Sequence, residues 1–530
     1  MGKDLRTTPI YLKLHRYSQL DGTHWGLRNP QPFFPPLEKL FKTETVSNLP
    51  EYGVRLNEQI QSVIDEHTIR TTKGHTVPIH RKTTMILSPF KWMRGDYGVL
   101  GLPKPESVAQ DVQDKLQNPH TAGYVGALTS IVLSESPCVH FPKVYGVYVG
   151  LAAKHSIDIS DDYEDLSERR WFADNLGKTF ELRLRTPATE TGFHHTRSQR
   201  PEVLLGDEAL LDEIEDIEAD HVSEPEHQSQ SASHASSADE SFLDDETESE
   251  EDNDVFDIES CDCMDLDPEE DAEESDEEEP FAWATFSDVP VITTIMEKCE
   301  GTFYDLIKEH SEPQKHSAWV AQLVMALAYA QRTFGFTHND LHGNNVMYVS
   351  TDQEFLHYKH NGICYRVPTY GYIIKVIDFD RAITMVRLNG MKEARSFMSS
   401  QFRADEEAAG QYNMDPFFEK HHPLILPNAS FDLCRFATSL FWDMFPEGPD
   451  HSYIHPLFEV FKQWMLQSDG SSIMFRQQRD NHDRYHGFHL YKAIARYCKD
   501  SAVPRREILK LTAFQIPNLP LGTPCLFIES

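Results

Sequence analysis

The chain has 530 residues, and its 85 Asp and Glu outnumber 49 Lys and Arg to give a formal net charge of −36 at pH 7. Such acidity excludes a general nucleic-acid binder, since acidic runs repel phosphates. It is also local: residues 201–280 carry 35 acids and no Lys or Arg, leaving a net −1 on the rest of the chain. Of eight cysteines only Cys261 and Cys263 lie close together, which argues for a reducing compartment and against both a zinc framework and a secreted disulfide pattern. The N-terminus lacks a basic-then-apolar signal, and Arg6 occupies the position where myristoylation requires Ser or Thr. The longest helical apolar stretch, residues 320–330, falls short of the ~20 residues a membrane helix needs. A soluble, intracellular protein with no membrane partner is the expectation.

Residues 1–45 are rich in Pro, aromatic and basic residues and hold no helical or strand period, so they read as an extension that packs on the body or stays loose. Residues 77–87 have the β-branched content of a strand, and 71–74, ending in Gly74, could turn between two strands. Two helices are predicted next, 105–117 with Val108, Val112 and Leu116 at helical spacing, and the apolar 122–134. Strands are predicted at 141–149 and 179–185. From about residue 187 to 279 the chain is Ser, His, Asp and Glu with few aromatics. It cannot bury enough apolar surface to offset an ordering cost of ~1–2 kcal/mol per backbone residue, and disorder is expected. This segment reads either as a solvated acidic loop or as a docking segment for a basic protein partner, with Ser249 and Ser275 as candidate phosphorylation sites before acids. An apolar strand at 289–296 and helices at 304–307 and 317–333 lead to residue 336. Beyond it, His360-Asn361-Gly362 signals a β-hairpin, 372–377 a strand, and 457–465 and 488–497 helices.

The stretch 336–345, FTHNDLHGNN, places His338, Asp340 and Asn345 at the spacing H-x-D-x-x-x-x-N, and Asp378 follows an apolar strand. These groups can serve phosphoryl transfer. One carboxylate orients or deprotonates an attacking hydroxyl, while an amide oxygen and a second carboxylate are the hard ligands that magnesium needs beside nucleotide phosphates. A lone Asp in a loop is more often a turn or cap residue, so the joint spacing carries the specificity. Asp432, in the apolar run 430–442, is either a helix-start acid or a member of this set.

The spacing resembles the catalytic loop of the protein-kinase superfamily, with Asp378 opening a variant of its D-F-G motif. The runs 367–377 and 410–440 look like those of divergent serine/threonine protein kinases of large nucleocytoplasmic DNA viruses. His342, where most protein kinases carry Lys, is similar to haspin-like kinases. The resemblance implies an α+β, bilobal protein-kinase-like fold with a long acidic disordered insertion in the small lobe. Its parts would be an N-terminal extension (1–45), the small lobe (46–154), the insertion (155–285), a last small-lobe strand (286–297) and a helical large lobe (298–530). ATP, Mg2+ and a protein substrate are implied with it.

By the same resemblance Asp340 is the catalytic base or hydroxyl orienter, Asn345 and Asp378 ligate magnesium, His338 braces the loop and Asp432 ties down its backbone. Met296 becomes the gatekeeper, and the backbones of Glu297 and Cys299 meet the adenine. Lys82 is the candidate for the lysine that contacts the nucleotide phosphates, with Lys91 as competitor. The sequence also departs from the family. No G-x-G-x-x-G lies upstream, and helix 122–134 offers no acid before Glu135 to pair with the lysine and carries Gly126 in its middle. His342 replaces a fixed charge by a side chain that, unperturbed at pKa ~6.5, is mostly neutral at pH 7. Asp380 stands in place of a glycine, which argues for a rigid segment. The leading expectation is an ATP- and magnesium-dependent kinase of protein Ser/Thr, in the host cytoplasm or virion if viral. The alternatives are a pseudokinase scaffold recruiting partners through the acidic segment, and a small-molecule kinase.

Overall fold

The computed structural model describes residues 8–97, 116–160, 163–184, 282–403, 406, 408–412, 427–475, 484–485 and 487–528. The acidic stretch 187–279 and nearly all of the helix expected at 105–117 lie outside the described residues. The fold is mixed, with helices and antiparallel sheets. Its largest sheet contains β1 (Leu27–Gln31), β2 (Ile60–Val63), β3 (Thr68–Thr71), β4 (Thr76–Met85), β5 (Val144–Asp158), β6 (Glu181–Leu184) and β7 (Ala282–Glu297). The order is β1-β5-β7-β4-β3-β2, with β6 also pairing with β7. The central β7 buries a nearly continuous run, Val289 to Met296, as a strand covered on both faces must. Against it lies α1 (Ala122–Ser134), whose residues from Gly123 to Leu133 are all buried. A helix apolar on every side finds no stable place except the interior.

The N-terminal extension packs on the body. β1 pairs with β5, and Leu12, Trp25, Leu27, Phe34, Leu37 and Leu40 are buried in the common core. Strand β5 runs past residue 154, the boundary expected from the sequence, and pairs with β7 as far as Asp158 opposite Trp283. Residues 163–184 then add two short helices and β6, so the sheet continues through the first part of the expected insertion. Leu184 and Ala282 are direct partners across β6 and β7.

After β7 come α2 (Phe303–Glu309) and α3 (Pro313–Phe334), then β8 (Val346–Ser350), β9 (Phe355–His360), β10 (Ile363–Pro368), β11 (Tyr372–Val376), β12 (Ile383–Val386) and β13 (Arg395–Met398). The helices α4 (Phe431–Met444), α5 (Pro456–Trp464) and α6 (Phe488–Tyr497) follow. Thr302 caps α2 in a reciprocal box with Asp305, which satisfies two end groups at once. Pro313 opens α3 and Gly335, at φ +54°, closes it. The β9–β10 hairpin turns through Asn361 and Gly362 at φ +49° and +82°, the left-handed pair that a two-residue turn demands. Among the described residues no helix is long and apolar enough to cross a membrane.

Two contacts deliver the chain to the site. Val346 opposite Val376 sets the β8–β11 register, so Ile377 N donates to Asn345 O at 3.1 Å. His140, fully buried, braces β11 through Nδ1 to the Ile374 carbonyl at 2.8 Å and Nε2 to the Tyr358 hydroxyl at 2.7 Å. Burial pushes its imidazole down to about 4. An unfolded histidine titrates near ~6.5, so as pH falls from there toward 4 the unfolded chain takes up the proton first and stability drops. At ~1.4 kcal/mol per pKa unit the loss is on the order of a few kcal/mol. Urea unfolding of His140→Gln between pH 7 and 4.5 should show a shallower pH slope than the wild type; parallel slopes would refute the assignment. A chain in which a short linker replaces residues 201–280 should melt at the wild-type temperature, because β6 and β7 already bring the flanking ends together and the loop-closure cost changes slowly with length. A clear fall in melting temperature would contradict this.

Candidate functional site

The loop 336–345 connects α3 to β8, and its backbone is held from below. Asp432, in the first turn of α4 and fully buried, accepts the N–H of His338 with both oxygens and that of Asn339 with Oδ1, all at 3.0 Å. Burial raises its carboxyl, and His338 and these N–H donors oppose that rise. His338 bridges onward: Nε2 lies 2.7 Å from the Ile377 carbonyl, while Asp340 N points at Nδ1 from 3.3 Å. A carbonyl can only accept and an amide only donate, so the ring carries its proton on Nε2. His338 thus ties the loop to the segment that leads into Asp378. Asn339 sits at φ +68° and fixes the loop to its surroundings, donating to the Arg381 carbonyl at 2.9 Å and accepting from the Tyr412 hydroxyl at 2.7 Å.

Asp340 projects into a nest of cationic and phenolic groups. Its Oδ1 accepts the Tyr491 hydroxyl at 2.6 Å, and Oδ2 is 3.5 Å from Arg381 Nη1. Burial alone would raise this carboxyl, but Arg381, His342, the Tyr491 hydrogen bond and Arg435 outweigh it and hold the group well below the usual carboxylate range. Asp340 is therefore an ionised acceptor. Asn345 uses Nδ2 on the Asp340 carbonyl at 2.9 Å and contacts His342 Nε2 at 3.1 Å. Its amide oxygen is the end these bonds leave over.

Facing the loop, Asp378 sits at φ +56°, a left-handed conformation that costs on the order of 1–3 kcal/mol at a non-glycine residue and persists only when neighbours enforce it. Its Oδ1 is 2.5 Å from Lys82 Nζ, and Lys82 also meets Asp380 Oδ2 at 3.2 Å. The three side chains are 8–16% exposed. Burial and the adjacent Asp378 push the Asp380 carboxyl upward against the opposing pull of Lys82. Lys91, the competing lysine, instead pairs with Glu406 at 2.7 Å. Lys82 stands across from Thr294 in the β4–β7 register, two residues before the buried Met296. The N–H of Glu297 donates to the Lys143 carbonyl at 2.8 Å, and its carboxylate pairs with Lys375 at 2.9 Å. Burial raises the Cys299 thiol to about 12, so it is uncharged at neutral pH.

The structure thus gathers Lys82, Asp378, His338, Asp340, His342 and Asn345 around one locus, supported by Asp432. Sequence reasoning missed Asn339, Arg381, Arg435 and Tyr491, and it marked Asp380 only as an acid in place of a glycine, not as a partner of Lys82. Among the described residues no group of three or more His, Cys, Asp and Glu is arranged to hold a metal. The oxygens suited to a hard cation are those of Asp378 and the Asn345 amide, and this sparse set fits magnesium, which keeps waters and phosphate oxygens in its shell.

No family model matches the chain. Over 62 residues it is 44% identical to uncharacterized protein 098R of Invertebrate iridescent virus 6, a match covering 11% of this chain and 10% of that protein. The chain therefore spans about a tenth of the length of that relative in the match.

Replacing Asp432 by Ala strands two buried N–H donors at ~1–3 kcal/mol each, and should lower unfolding free energy by roughly 2–5 kcal/mol. Denaturant titration checks this; a loss under ~1 kcal/mol would mean the loop is held by other contacts.

Proposed function

We propose that the protein is an ATP- and magnesium-dependent protein kinase of bilobal fold, akin to the divergent serine/threonine kinases of large DNA viruses, which transfers the γ-phosphate to Ser or Thr of a protein. The observation that carries this reading is the convergence of Lys82 on Asp378 opposite an ionised Asp340, three residues from distant parts of the chain. In the transfer, Asp340 accepts the hydrogen bond of the incoming hydroxyl, a position the Tyr491 phenol takes here. The hydroxyl oxygen attacks the terminal phosphorus, its proton passes to Asp340, and the bond to the bridging oxygen of the diphosphate breaks. Lys82 neutralises phosphate oxygens, while His338 and Asp432 hold the loop so that Asp340 needs no reorganisation. Such catalysis is mostly positioning and charge stabilisation. Asn345 and Asp378 would hold magnesium, which supplies positive charge beside the phosphates. Met296, Glu297 and Cys299 would line the adenine side. The iridescent-virus match supports a viral setting, with the host cytoplasm or virion as the place of action.

One observation favours a second reading, a pseudokinase scaffold. The β2–β3 turn, residues 64–67, contains Asp65 and Glu66 and no glycine, and on the kinase reading this is the turn that would have to cover the phosphates. The acidic segment would then recruit a basic protein partner. Radiolabelled ATP with mixed protein substrates separates the two. The wild type should label substrate, and Asp340→Asn and Asp378→Asn should each reduce labelling by at least ~10²-fold. Transfer surviving in both variants would sink the kinase assignment, whereas tight nucleotide binding without transfer by the wild type would establish the scaffold.

A further inference from the structure

Lys82 is anchored from an unexpected direction. A lysine side chain carries ~2 kcal/mol of rotamer entropy and needs a fixed partner to hold its ammonium in one place. The helix beside it, α1, contains no acid between Ala122 and Ser134. The next acid, Glu135, spends its carboxylate on the backbone N–H of Asn57 at 3.0 and 3.1 Å. The carboxylates near Lys82 come instead from the segment after β11: Asp378, with Oδ1 2.5 Å from Nζ, and Asp380, 5% exposed, with Oδ2 3.2 Å from Nζ. That same oxygen accepts the Thr84 hydroxyl at 3.2 Å. Thr84 is two residues along β4 from Lys82 and so on the same face of the strand.

Helix α1 makes room for this acid. A Cβ built on Gly126 would lie 1.9 Å from Asp380 Oδ1 and 3.1 Å from its Cγ, so no side chain at position 126 can coexist with Asp380 as placed. Glycine in a helix interior costs ~0.5–1 kcal/mol relative to Ala, and α1 carries that cost where Asp380 arrives. We infer that Asp380 is the positioning residue for Lys82 and that Gly126 is the gap that admits it, the anchoring carboxylate having moved from the helix to the segment that follows Asp378. The inference rests on the kinase reading for its purpose. If Asp378 turns to a cation, Asp380 is the carboxylate that still holds Lys82 over the phosphates. It also explains together two departures visible in the sequence, the glycine in the helix and the acid where a glycine is usual.

The test uses the full chain as Asp380→Asn, Asp380→Gly, Gly126→Glu, and the double variant Asp380→Gly/Gly126→Glu, which returns a carboxylate to the helix. Three readouts apply: thermal unfolding, acetylation of Lys82 by acetic anhydride quantified by mass spectrometry, and kcat and KM for ATP. Asp380→Asn keeps the shape and removes the charge. It should raise Lys82 acetylation several-fold and lower kcat/KM by about a hundredfold while the protein stays folded. Gly126→Glu alone should lower the melting temperature. The double variant should regain both melting temperature and Lys82 protection beyond the sum of its singles, the sign of direct coupling. Additive losses in the double variant, or Lys82 acetylation unchanged in Asp380→Asn, would overturn the proposal. Melting and acetylation do not depend on turnover, so a wild type that transfers no phosphate would refute the kinase reading and leave this result standing.

Discussion

The carboxylate of Asp432, buried at the start of α4, takes the N–H groups of His338 and Asn339 and thereby fixes a loop that has almost no regular pairing of its own. Burying an ion costs several kcal/mol even after relaxation, and only charge-assisted hydrogen bonds of good geometry offset it. The loop supplies them. Once its first residues are pinned, His338 reaches Ile377, Asn339 reaches Arg381 and Tyr412, and Asp340 comes to face Arg381 and Tyr491. Each later contact presupposes the first, which is why a residue far from any phosphate governs the position of those that would touch it.

Two non-glycine residues at this locus, Asn339 and Asp378, hold positive φ. Such strain survives only where the surroundings over-determine the backbone. Around Asn339 both ends of the side-chain amide are engaged. At Asp378 the carboxylate binds Lys82 and accepts the N–H of Asp380 at 3.2 Å. Asn and Asp tolerate the left-handed region better than other side chains because their short polar ends can bond nearby backbone. The residue types and the strained geometry are therefore one choice.

Much of this was legible from local pattern. The helix 488–497, the hairpin through Asn361-Gly362 and the strand at 77–87 announce themselves by periodicity or turn chemistry, and the structure has them within a residue or two. The H-x-D-x-x-x-x-N spacing with Asp378 brings together the residues that the structure also gathers. What escaped is non-local. Tyr491 lies 151 residues from Asp340 and Thr84 lies 296 from Asp380, and no period of 2 or 3.6 encodes such meetings. The strand within the extension escaped for a related reason: β1 is short and polar on its exposed face, so its strand character is conferred by pairing with β5, not by its own composition. Gly126 looked like a weakness in a helix and the structure gives it a neighbour instead.

The charges at the locus are nearly balanced before any ligand arrives. Lys82, Arg381 and Arg435 stand against Asp340, Asp378 and Asp380, with Lys82 lying between two carboxylates. On the proposed reading a nucleotide brings a polyphosphate to this place, and at effective dielectric constants near 20 two unit charges 4 Å apart already interact by ~4 kcal/mol. If Lys82 turns to the phosphates, Asp378 is left facing negative charge at close range. That arrangement is tolerable only with added positive charge between them. On that reading a divalent cation is the added charge, and the sparse ligand set of Asp378 and Asn345 would leave its remaining positions for water and phosphate oxygens.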